Sequence, residues 1–295
     1  MAGTVAAGAA GGLAVVVAAL AVLAAAADSA EGAVARTGEG PTGARMTLEQ
    51  LVHQLRGACG DGLQAAVLYG SAAAGEAVEG RSDLNVLAVL RDAEPVLLRT
   101  LAPTMRAWQE AGNPPVLVFT AAEWHRSADI FPMEYADILE RHRVLAGALA
   151  LEGIAVRPAD LRLQLEHEAM GKLLRLRRGV MVAGSDPARQ RALLADSLGV
   201  LLVLFRAYLR LVGVRPPLDG VQVIHAVAAH AGLDAVPFVR GHALVRGTPL
   251  ADADVEGVLA GYVRGIAMLV SVLDAHHAPP AHQAPPGGGD STSTS

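Results

Sequence analysis

The sequence predicts an α+β protein: a mixed α/β domain over residues 46–157, then an all-helical bundle over residues 158–277. Two patterns carry that expectation. From Met46 to Arg157, short apolar runs alternate with helical periodicity, whereas from Pro158 onward the strand signals stop and only helical spacing remains. A third observation sets the scale: 295 residues, 52% hydrophobic, provide ample chain for a packed core.

The first element opens at Thr47. Followed by Gln50 it forms a capping-box pattern ahead of Leu48, Leu51, Val52 and Leu55. Residues 64–69 (Gln-Ala-Ala-Val-Leu-Tyr), 84–90 (Leu-Asn-Val-Leu-Ala-Val-Leu) and 115–119 (Pro-Val-Leu-Val-Phe) read as largely buried strands. A helix over residues 95–111 separates the last two and stops at Gly112-Asn113-Pro114-Pro115. In the second half, Pro158 sits in a first helical turn. Leu161, Leu165, Met170, Leu173, Leu174, Leu176 and Val180 then mark a long amphipathic helix. Ser185-Asp186-Pro187 starts another helix, to about Val212. Arg206 and Arg210 interrupt its apolar run, which reads as a bundle helix rather than a membrane span. Shorter helices follow near residues 218–231. The last helix carries Val255, Leu259, Tyr262, Val263, Ile266, Leu269, Val270 and Leu273. No internal repeat recurs at a fixed period.

The chain ends read differently. Residues 1–45 are an apolar, low-complexity segment, uncharged from Ala2 to Ala27. Three readings stand: a signal peptide cleaved after Ala25-Ala26-Ala27, a membrane anchor, or a dispensable leader ahead of a natural start at Met46. Residues 278–295 have the Pro, Gly, Ser and Thr composition of a disordered tail. The chain is read as cytoplasmic, or as exported or membrane-anchored if residues 1–27 act as a signal or anchor.

Composition removes several function classes. A net charge of −5 and only 3% aromatics leave no broad nucleic-acid surface and no stacking platform for single strands. The single cysteine, Cys59, excludes an intramolecular disulfide framework and a cysteine-rich zinc site. Lys172 is the only lysine, and Gly171-Lys172 is no phosphate loop because Glu166 stands where the first glycine is required. Arg175, Arg177 and Arg178 continue a basic stripe from Lys172, read either as a solvated face or as a triphosphate contact.

Chemistry concentrates between Val67 and Leu90. A strand ends at Tyr69, Gly70-Ser71 turns toward a short helix containing Gly75, and Ser82-Asp83-Leu84-Asn85 enters the next strand. Residues two apart on a strand share a face, so Asp83 and Asn85 are expected to project together. Backbone N–H groups at Gly70-Ser71 suit a phosphate, and oxygen ligands beside them suit Mg²⁺.

This stretch resembles the signature of the polymerase-beta-like nucleotidyltransferase superfamily: Gly-Ser, about ten residues, then Asp-x-Asp. Gly70, Ser71 and Asp83 match it, as does the Arg81-Ser82-Asp83 approach to the strand. Residues 131–147, 161–168 and 172–177 also resemble bacterial nucleotidyltransferase-domain proteins. The resemblance implies a nucleotidyltransferase-like domain joined to a helical bundle. It also implies transfer of a nucleoside monophosphate from an NTP to a hydroxyl acceptor with Mg²⁺. Gly70 and Ser71 would hold the triphosphate, and Asp83 and Asn85 the metal. The departure is Asn85, which stands where the family has its second acid, and residues 116–119 carry no third acid. Glu134, a catalytic candidate together with Asp83 and Asn85, and Asp137 are the acids that could compensate. The resulting expectation is weak activity; the alternative is a non-catalytic nucleotide- or partner-binding module on the same fold. No motif specifies the acceptor, the base preference or the oligomeric state.

Overall fold

The computed structural model describes residues 45–70, 72–73 and 84–276. Ser71 and Asp83, the N-terminal segment through residue 44 and the tail from residue 277 lie outside the described residues.

Helix α1 (Leu48–Cys59) begins with the expected capping box. The Thr47 hydroxyl accepts from the Gln50 N–H at 3.3 Å, and Gln50 Oε1 accepts from the Thr47 N–H at 2.8 Å. Strands β1 (Leu63–Tyr69) and β2 (Asn85–Leu90) pair antiparallel. Helix α2 (Pro95–Glu110) then crosses back to β3 (Leu117–Thr120), which lies parallel to β2. Helices α3 (Ala121–Arg126) and α4 (Pro132–Glu140) precede β4 (His142–Gly147), antiparallel to β1 at the other edge. The sheet order is β3-β2-β1-β4.

The unbroken apolar runs of β1 and β2 have a simple cause: both sheet faces are covered. Ala66, Leu68, Val86 and Ala88 pack with Leu51, Leu55, Leu101 and Trp108 of α1 and α2. The alternate residues, Ala65, Val67, Leu87 and Val89, pack with Phe119, Trp124, Tyr135 and Ile138. Strand β4 was not among the expected strands. Only Ala146 in it is buried, as befits an edge strand, so its sequence lacks the apolar run.

Helix α5 (Pro158–Ala183) opens the helical part and is followed by α6 (Pro187–Leu211), whose start is capped by Asp186. Then come α7 (Gly220–Ala231), α8 (Val236–Val245) and α9 (Asp252–Ala275). α8 adds a helix to the expected set. It approaches α9 closely because Gly265 faces the Phe238 ring, where an added Cβ would lie 2.4 Å from a ring carbon. Both α6 and α9 are long and apolar enough to cross a membrane by length and composition. Here Leu201, Phe205, Tyr208, Leu259, Tyr262 and Ile266 place them at the centre of one core cluster. Inside it Ser197 donates to the Tyr262 hydroxyl at 2.8 Å.

The expected amphipathic list for α5 needs one correction. Leu161, Leu165, Leu173 and Leu176 are buried, but Met170 and Leu174 lie on the opposite, exposed face. The two halves of the chain meet through α4: Met133 joins the bundle core, and its N–H donates to Gln164 Oε1 of α5 at 2.8 Å.

Candidate functional site

The sheet brings three residues into one row. Tyr69, the last residue of β1, pairs with Asn85 at the start of β2 and with His142 at the start of β4. Gly70 follows with φ +78°, a left-handed conformation that favours glycine. A Cβ there would lie 3.4 Å from Asn85 Nδ2 and 3.6 Å from Asp137 Oδ2, so the bare backbone passes between these two polar groups. The turn continues with the Ala73 N–H donating to the Gly70 carbonyl at 3.1 Å. On the far side of β2, Asn113 Oδ1 accepts from the Leu84 N–H at 3.4 Å, tying the entry of β2 to the loop before β3.

Helix α4 supplies the acids. Glu134, Asp137 and Glu140 recur every third residue and therefore share one side of the helix. Arg210, near the end of α6, donates to Asp137 Oδ1 at 2.7 Å and, through Nε, to Glu140 Oε2 at 2.8 Å. Its side chain is 13% exposed, so this is a largely desolvated clamp between the helical bundle and α4. Arg215 reaches Glu140 Oε1 at 3.5 Å from the solvent side. Glu134 instead accepts from Gln164 Nε2 at 3.0 Å. Burial pushes its carboxyl up to about 7, and the charges of Glu168 and Asp137 add to the rise. Burial likewise raises the Tyr69 phenol, with Glu134 and Asp137 adding to it. The His142 Nδ1 lies 2.7 Å from the Ile138 carbonyl, which holds the proton on that nitrogen.

Beside the Gly70 turn opens a cavity of about 520 Å³, lined by Ala73, Glu140, Arg141, His142, Arg215, Pro216, Pro217 and Leu218. Two arginines against one glutamate, itself paired with arginine, make it a cationic recess. A second cavity, about 610 Å³, lies between α1 and α2 and has no lining residue in common with it.

The candidates thus divide. Gly70 and Asn85 are adjacent, and Asp137 joins them, whereas Glu134 is held by Gln164 on α5; Ser71 and Asp83 are outside the described residues. Strand β3 (Leu-Val-Phe-Thr) carries no acid. The basic stripe is not one face: Lys172 is buried, while Arg175, Arg177 and Arg178 are exposed. Arg210, Glu140, Arg215 and His142 were not singled out from sequence as site residues. The one signal for Arg210 was its intrusion into the apolar run of α6. As for Mg²⁺, an amide at Asn85 and one oxygen of a carboxylate already shared with Arg210 are hard-oxygen donors. Among the described residues they suit one cation rather than two, and no three His, Cys, Asp or Glu side chains cluster to hold a metal.

No protein-family model matches the chain, and no curated protein matches it. Among solved structures, it is similar to spectinomycin adenyltransferase AAD(9) from Enterococcus faecialis, determined with ATP and spectinomycin. The TM-score is 0.50 at 13% identity, covering 76% of this chain and 96% of that one. At that identity the likeness shows the fold alone, a mixed α/β domain followed by a helical region.

Proposed function

We propose that this chain is a nucleotidyltransferase-like protein that binds an NTP with Mg²⁺ in the recess beside Gly70 and transfers a nucleoside monophosphate weakly to a hydroxyl acceptor. The observation that carries the reading is the Gly70 turn, flanked by Asn85 and Asp137, whose continuation at Ala73 lines a cationic cavity. A glycine turn with arginines nearby suits a triphosphate. Support also comes from the structural neighbour, an adenyltransferase solved with ATP and spectinomycin.

In this reading Gly70 and Ser71 cradle the phosphates, while Arg141 and Arg215 balance their charge. Asp83 and Asn85 hold the cation, and Oδ2 of Asp137 faces the same Gly70 turn as the Asn85 amide. Mg²⁺, when bound, neutralises phosphate charge and polarises the reacting phosphorus. The acceptor hydroxyl oxygen bonds to the α-phosphorus, pyrophosphate leaves, and the hydroxyl proton passes to a base, the candidate being Glu134, which lies apart from Asn85 and Asp137 but whose charge acts on Tyr69 next to Gly70. A carboxyl raised to about 7 suits a base at neutral pH. Turnover is weak because the amide at Asn85 adds no negative charge to hold the cation.

A second reading, a non-catalytic nucleotide- or partner-binding module, draws on one observation: Arg210 already neutralises Asp137, the acid that faces Gly70 among the described residues. One experiment separates the two. The full chain is incubated with each labelled NTP and Mg²⁺, following binding, label transfer and pyrophosphate release. Metal-dependent binding and slow pyrophosphate release, both lost in Asp83→Ala, are expected. Binding without any release supports the second reading, and absence of NTP binding refutes the nucleotide assignment altogether.

A further inference from the structure

Helix α5 carries an apolar stripe that the bundle leaves uncovered. Leu163, Met170, Leu174 and Met181 are 63%, 42%, 45% and 74% exposed. At 3.6 residues per turn all four point within about 20° of a single direction, opposite the buried Lys172. Their spacing is also a mirror: Leu163 and Met181 are equidistant from position 172, and so are Met170 and Leu174.

Mirror symmetry along one helix is what an antiparallel pair of identical helices requires, because the two-fold axis inverts each sequence past its copy. We propose that α5 is a homodimer interface, with two copies packed antiparallel about position 172. Leu163 then meets the partner's Met181, and Met170 meets the partner's Leu174.

Charge supports this occupant and this orientation. From Pro158 to Glu168 the helix holds Asp160, Glu166 and Glu168 against Arg162, whereas from Lys172 to Arg178 every charge is positive. An antiparallel pair sets the acidic half on the basic half, and a parallel pair would oppose like charges. In detail, Glu166 and the exposed Arg177 flank the same edge of the stripe, on opposite sides of its centre. The two-fold therefore brings Glu166 beside the partner's Arg177 twice. The other edge sets His167 beside the partner's Arg178. The stripe is about 27 Å long. Two helices in contact over that length bury roughly 1,000 Å² in total, at the lower limit of a specific interface, so the dimer should form at micromolar concentrations or above.

Sedimentation velocity on the full-length chain, over about 1 to 200 µM, provides the test. A concentration-dependent monomer–dimer equilibrium is expected. Met170→Glu with Leu174→Glu should keep the chain monomeric throughout with an unchanged thermal melt, since both positions are exposed. Glu166→Arg and Arg177→Glu should each weaken dimerisation about tenfold or more, and the two together should restore it to within about threefold. Arg177→Glu leaves the intrachain Arg162–Glu166 pair intact, so its effect cannot be a folding artefact of losing that pair. A monomer at every concentration overturns the proposal. So does a dimer indifferent to the stripe substitutions, or a double charge variant without rescue. Dimerisation only after deletion of residues 1–44 overturns it too, in favour of an intrachain cover.

Discussion

Replacing Glu134 by glutamine removes one proton equilibrium while keeping the side chain's size and its ability to accept from Gln164 Nε2. Burial raises the carboxyl from its ordinary 4.5 to about 7. The folded state therefore holds this proton more tightly than the unfolded chain. That contribution is complete below pH 4.5 and is lost as pH climbs toward 7. At 1.36 kcal/mol per unit the loss has an upper bound of about 3 kcal/mol. Solvent at the half-buried side chain's exposed edge reduces it to about 2 kcal/mol. Other titrating groups cancel when the variant is compared with the wild type at each pH. Urea denaturation at pH 5, 6, 7 and 8 should show Glu134→Gln matching the wild type near pH 5 and gaining about 2 kcal/mol by pH 8, with unchanged slopes in denaturant. A stability difference that stays constant from pH 5 to pH 8 would refute the assignment of a raised Glu134 carboxyl. The variant's activity is an independent readout. If Glu134 takes the acceptor's proton, the stabilised protein should lose turnover at neutral pH.

Arg210→Ala leaves Asp137 without its cation and Glu140 with only the longer contacts to Arg141 at 3.8 Å and the exposed Arg215 at 3.5 Å, so a loss of about 2 kcal/mol is expected in urea titration; a loss below about 0.5 kcal/mol would show the clamp to be redundant. Asn85→Asp should tighten Mg²⁺ in calorimetric titration and raise pyrophosphate release, by up to about a hundredfold for about 3 kcal/mol of recovered transition-state charge balance. Wild-type turnover that the substitution leaves unchanged would mean that another acid already completes the site. Gly147→Ala should destabilise the fold by about 3 kcal/mol or more. Gly147 has φ +66°, and a Cβ would lie only 1.9 Å from the Gln64 carbonyl, so β4 would have to part from β1. A near-wild-type melt for that variant would show that the edge strand can shift freely.

Some of this protein could be read directly from residue order. The strands at Leu63–Tyr69 and Asn85–Leu90 were legible because burial on both faces demands continuous apolar runs, a local signal. The cap at Thr47 and the helix start at Pro158 were legible for the same reason, since caps and first turns are set by neighbours in sequence. Strand β4 was not, because an edge strand takes its stability from pairing with β1 and needs few buried side chains of its own. Met170 and Leu174 misled because helical periodicity marks apolar faces without saying which one meets the core. At the site, sequence supplied Gly70 and Asn85 from a short motif, named Glu134 as a catalytic candidate and marked Asp137 as a second acid that could compensate. Their roles depend on contacts across dozens of residues: Gln164 on Glu134, and Arg210 on Asp137 and Glu140. Local order thus determined which segments became strand and helix. Only the packing of α4 against α5 and α6 decided which carboxylate is neutralised by an arginine and which is desolvated enough to hold a proton near neutrality, because charge pairing and burial depend on distance in space.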